Sequence, residues 1–172
     1  MQAISDALSS LHLDGFVNAY DWVWPVGEIL HFLGMALLIG AVGMLDLRLL
    51  GLGRGIPVER LQRFIPIGIL GFVLNASTGF VFVAGNPIGG PMVYLDNLAF
   101  QIKLVLILVA GLNLLAFHWT GLSRAADALA PSGDAAPAAK LVAAVSLVLW
   151  IGVIVFGRLI MYNDTLLLAL GL

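Results

Sequence analysis

Four stretches of mostly apolar residues alternate along this chain with short polar segments. They cover about 22–46, 64–85, 97–119 and 139–162. A helix rises ~1.5 Å per residue, so about 20 residues cross the hydrocarbon of a bilayer, and each stretch predicts one membrane helix. The first begins at Trp22 and Trp24 and ends at Asp46 and Arg48. The second runs from Phe64 to Gly85 and stops at the Asn86-Pro87 turn signal. The third opens near Asn97 and closes at His118 and Trp119. The fourth follows an Ala/Pro/Gly-rich linker and ends at Tyr162, Asn163 and Asp164. Trp22, Trp24, Trp119 and Tyr162 stand where interfacial aromatic anchors belong.

Ahead of the first span, Ile4, Leu8 and Leu11 recur at helical spacing among polar residues that include Asp6 and Asp14. Without a basic n-region or a long apolar core, this segment reads as a surface helix and not as a cleaved signal. The predicted fold is all-α: an integral membrane four-helix bundle with a short N-terminal amphipathic surface helix. It divides into a surface segment (1–21), the bundle (22–163) and a C-terminal tail (164–172).

Composition supports that division. Of 172 residues, 61% are hydrophobic and 10% charged, against about 25% charged in a soluble domain. The net charge of −2 offers no basic patch for nucleic acid. The absence of cysteine excludes disulfides, thiolate metal sites and cysteine nucleophiles. Arg48, Arg54, Arg60 and Arg63 cluster around the first loop, and Arg124 and Lys140 flank the third, whereas the second has no Lys or Arg. The positive-inside rule then places loops one and three in the cytoplasm and both termini on the periplasmic side of a bacterial inner membrane.

Ionisable groups inside apolar helices are costly and need a reason. Glu28 and His31 fall in the outer half of span one, Lys103 in the outer half of span three, and Arg158 near the outer end of span four. Asn75 is near the midplane of span two. Their shared level predicts one polar site between the helices. Residues on the His31 face include Gly27, Glu28, Gly34 and Met35. The two glycines predict a shallow recess beside the imidazole, fit for a flat ligand. Gly71, Asn75 and Gly79 form a matching stripe on span two. His118 is expected at the level of Asp46 and predicts a hydrogen bond to it. It lies ~15 Å inside the midplane and His31 ~5 Å outside, so the two histidines do not ligate one haem.

The segments GEILHFLGMALLIGAVGMLDLRLLG, NLAFQIKLVLILVAGLN and IGVIVFGRLIMYN resemble those of an uncharacterised family of small bacterial four-helix membrane proteins. That family is similar, more distantly, to the copper-resistance-D family and to the membrane protoporphyrinogen oxidases. The distant resemblance rests on a histidine in span one, here His31, and a lysine early in span three, here Lys103. It implies haem b or a porphyrin, with His31 on the iron and Lys103 and Arg158 on the propionates. Met35 and Met161 are candidates for a sixth ligand.

Two other functions compete. A copper-handling membrane protein would use His31, Met35, Met92 and Met161, since imidazole and thioether suit copper(I). A structural or accessory subunit, working with other membrane subunits or as a homo-oligomer, would carry the polar residues only as packing. Glu28-x-x-His31 is half of a di-iron bundle motif, and the other half is missing. No Walker loop, dinucleotide fingerprint or HExxH is present.

Overall fold

The computed structural model describes residues 1–130 and 132–171. It is 78% helical and has no strand among the described residues. Two short helices, α1 (Gln2–Ser9) and α2 (Leu13–Ala19), precede α3 (Val23–Leu49). A single turn, α4 (Val58–Gln62), leads into α5 (Ile65–Ala84). A second turn, α6 (Met92–Leu95), leads into α7 (Leu98–Trp119). After α8 (Leu122–Asp127) come α9 (Pro137–Leu159), a 3-10 turn (Ile160–Tyr162) and α10 (Asn163–Leu170). Four of these helices are long and apolar enough to cross a membrane.

The long helices pair as two antiparallel hairpins, α3 with α5 and α7 with α9, and the hairpins join along α3 and α9. The remaining neighbours, α5 and α7, scarcely meet. The largest buried cluster sits at the end carrying loops one and three, where Leu45 and Leu49 of α3 pack with Val58, Leu61, Phe117, Ala139 and Ala143. Elsewhere large apolar side chains point outward, among them Ile29, Leu70, Leu108 and Val148. An exposed apolar surface of this extent marks a surface for lipid or for other protein chains.

Loops one and three are fastened together at this basic end. Ser132 N–H donates to Arg54 O at 2.8 Å. Asp134 pairs with Arg54 at 3.2 Å and accepts from Lys140 at 2.7 Å. Arg48, only 2% exposed, donates to Ile56 O at 2.7 Å and to Gly133 O at 3.4 Å.

Three sequence expectations are corrected. The N-terminal segment is two helices, because His12 takes a left-handed backbone (φ 52°) between them. The first span continues to Leu49, since carbonyls of both loops receive Arg48 and spare it the end position. Most of the tail beyond 163 is helical, as α10. At the far end, Asn97 caps α7 by accepting from Phe100 N–H and donates to Ile160 O, while Asn163 accepts from Leu98 N–H.

Candidate functional site

The α3–α5 hairpin holds His31. A half-buried imidazole in an apolar bundle needs a partner for each polar atom, and Thr78 of α5 supplies one at 2.8 Å from Nδ1. The Thr78 hydroxyl has a single hydrogen, which goes to Leu74 O at 2.9 Å or Asn75 O at 3.0 Å. Its oxygen is therefore left to accept from Nδ1–H. In the neutral ring the lone pair then sits on Nε2, which has no hydrogen bond among the described residues. Asn75 donates to the His31 backbone carbonyl at 2.9 Å and fixes the register of the two helices.

The glycine stripe of α5 meets α3 as its spacing predicts. Gly71 lies against Gly34, and a Cβ on Gly79 would stand 3.4 Å from His31 Cε1. The recess expected beside His31 is, however, filled. A Cβ on Gly34 would lie 2.7 Å from Gly71 O, and one on Gly27 would lie 3.0 Å from the Phe82 ring. Phe82 is wedged between Trp24 and His31, with centroids 4.9 Å and 5.5 Å away. Small residues here admit a neighbouring helix, as they commonly do in membranes, and any flat ligand must approach His31 from another side.

Lys103 reaches from α7 across Gly157 of α9, with Nζ 3.5 Å from the position of a Cβ there. Its charge acts on His31, and it has no ion pair among the described residues. Glu28 accepts from Trp24 Nε1 at 3.2 Å. Burial pushes the Tyr94 phenol of α6 above its ordinary value, and the negative Glu28 adds to the effect.

Arg158 does not join this group. It is exposed and lies over the Tyr162 ring at 5.6 Å, a cation–π contact. Met35 is one turn along α3 from His31, Met92 opens α6, and Met161 is 76% exposed. Among the described residues no three His, Cys, Asp or Glu side chains gather into a metal-binding group.

The expected His118–Asp46 bond is also corrected. His118 is exposed and its Nδ1 meets Leu114 O of its own helix at 2.9 Å. Asp46 points elsewhere: it is buried, it lies beside Ser146 of α9, and its Oδ2 has no partner. Sequence reasoning missed Thr78 as the orienting partner of His31 and gave Asp46 the wrong neighbour, His118 in place of Ser146. A carboxylate inside an apolar run was the available signal for a buried Asp46. No protein-family model, curated protein or solved structure matches this chain.

Proposed function

We propose that this chain is a multipass protein of a bacterial cytoplasmic membrane that binds haem b or a related porphyrin at His31. The exposed apolar belt and four long apolar helices support insertion. The basic residues gathered at the fastened end of loops one and three support a cytoplasmic face there, with both termini periplasmic.

One observation carries the cofactor reading. Thr78 holds His31 by Nδ1, which leaves Nε2 as the free lone pair, and an orienting bond of this kind accompanies metal-ligating histidines. Lys103, free of any carboxylate, fits an anionic group on the same ligand. His31 would hold the metal of such a ligand through Nε2, the one ring nitrogen that Thr78 leaves free. Bound haem would supply one-electron redox chemistry. The chain orients the imidazole through Thr78, Lys103 would neutralise carboxylates of the group, and Phe82 and Trp24 would wall one side of it.

A structural or accessory subunit is the second reading. The filling of the Gly27 and Gly34 recesses favours it, because it makes those glycines packing residues. The copper alternative draws on methionines dispersed over α3, α6 and the 3-10 turn.

Visible spectra of the oxidised and reduced protein, purified in mild detergent from haem-replete cells, decide between these readings. Metal analysis is made on the same sample. A Soret band at near-stoichiometric haem that disappears in His31→Ala is the expected result. A colourless protein without copper leaves the accessory subunit standing.

A further inference from the structure

A second site lies at the basic end, away from His31. Because α5 and α7 scarcely touch, the bundle is open between them, and a cavity of about 220 Å³ extends inward to α3 and α9. Along α3 its wall runs from Leu38 to Leu49, about 16 Å at the rise of a helix. The mouth residues Ile69, Phe72 and Leu114 are exposed on the lipid-facing surface. Access is therefore lateral, from the hydrocarbon.

The walls are mostly apolar, and their polar side chains are Asn113, Ser146, Asp46 and Trp150, the last through its indole N–H. Asn113 donates one of its two amide hydrogens to Val142 O at 3.1 Å. Ser146 is buried beside Asp46. Among the described residues, Asp46 is the one ionisable residue in the lining, is 6% exposed, and has Oδ2 without a partner. The nearby Arg48 gives its hydrogens to Ile56 O and Gly133 O. A buried carboxyl oxygen left unpaired is costly, and a group that donates to it relieves the cost.

We propose that this cavity binds a membrane-partitioned protonated amine, its hydrophobic body between α5 and α7 and its ammonium on Asp46. Charge complementarity selects the cation, since the lining carries one acid and no base. The volume sets the size: an apolar cavity of about 150 Å³ accepts one benzene, so this one takes a body somewhat larger than a single ring. The site is independent of any ligand at His31.

The test is calorimetric titration of the full chain in phosphatidylcholine nanodiscs with 1-naphthylmethylamine and its neutral counterpart 1-naphthalenemethanol. The amine binds at least ten-fold more tightly, and Asp46→Asn removes that preference. Gly111→Leu abolishes binding of both. Gly111 lines the cavity and has no atom within 4 Å of a built Cβ, so the leucine enters open space at its Cβ, and this variant tests occupancy of the cavity even if Asp46→Asn fails to fold. Equal affinity for the two probes, or binding untouched by Gly111→Leu, overturns the proposal. Loss of amine binding when phosphatidylethanolamine is added also overturns it, since the occupant is then the lipid headgroup.

Discussion

Gly34 of α3 and Gly71 of α5 face each other so closely that a Cβ on either would lie 2.7 Å or 2.6 Å from the other's carbonyl oxygen. Backbone stands on backbone there, and no side-chain rotation relieves an added methyl. Gly34→Ala is expected to destabilise the α3–α5 hairpin by about 1–3 kcal/mol, the range for overpacking. Gly111→Ala, in open space, should leave stability equal or higher because alanine favours helix. Unfolding by SDS titration in mixed micelles measures both, and equal losses would show that the Gly34–Gly71 contact does not organise the hairpin.

The Thr78–His31 bond should set the tautomer of the imidazole. Nitrogen chemical shifts of labelled His31 are expected to report the Nδ1–H form in the wild type and a mixture in Thr78→Val. Thr78→Ser restores the single form. If the chain carries haem, loss of this bond should weaken it about 10- to 100-fold, as orienting partners do elsewhere. A pure Nδ1–H signal in Thr78→Val would remove Thr78 from the account.

Much of the bundle was legible because span length and lipid-compatible composition are local properties. Spacing alone puts Asn75 and Gly79 on one stripe of α5, and the packing of α5 on α3 turns that stripe toward His31. What composition does not encode is which helices stay apart. The gap between α5 and α7 depends on how two hairpins dock along α3 and α9, and only that gap makes a cavity beside Asp46. The recess at Gly34 failed for the same reason: a glycine face suits a ligand or a helix equally, and the contact with Gly71 decides it. Arg158 was misplaced because depth along a helix says nothing of its direction around it.

Asn97 serves two elements at once, accepting from Phe100 N–H at 3.1 Å and donating to Ile160 O at 2.9 Å. Asn97→Ala loses a helix cap and leaves a carbonyl unpaired, a loss of about 1–2 kcal/mol. Asn97→Asp keeps the cap and loses only the donor, so it should fall between Ala and wild type. Thermal unfolding of the three proteins in one detergent gives the ranking. An aspartate variant as damaged as alanine would make the Ile160 bond, and not the cap, the main contribution.

Arg48 is a buried cation that has no carboxylate partner among the described residues and donates to carbonyls of two loops. It also sits in the last turn of α3, where the helix dipole favours positive charge. Arg48→Met leaves those carbonyls without donors and should cost about 1.5–3 kcal/mol. Arg48→Lys keeps the charge but lacks the guanidinium fork that serves Ile56 and Gly133 together, so much of the loss should persist. Full rescue by lysine would mean that charge alone matters at this position.

Asp134 fastens loop three to loop one, and its chemistry sets when the fastening opens. The hydrogen bond from Lys140 holds its carboxyl below the ordinary carboxylate value, and the Arg54 charge adds to the effect. A depressed folded-state value contributes stability above the unfolded value of about 3.9, lost as pH falls through the folded one. The clasp should therefore stay shut through neutral and mildly acidic solution and open only in stronger acid. Because Arg54 and Asp134 are each about half exposed, salt should weaken the pair at neutral pH as well. The chain has no cysteine of its own, so spin labels on Gly55→Cys and Ala136→Cys report the loop-to-loop distance cleanly. That distance should widen in acid and in high salt, and Asp134→Asn should widen it at neutral pH. If all three leave it unchanged, the backbone bond from Ser132 to Arg54 and the buried Arg48 hold the loops without help from Asp134.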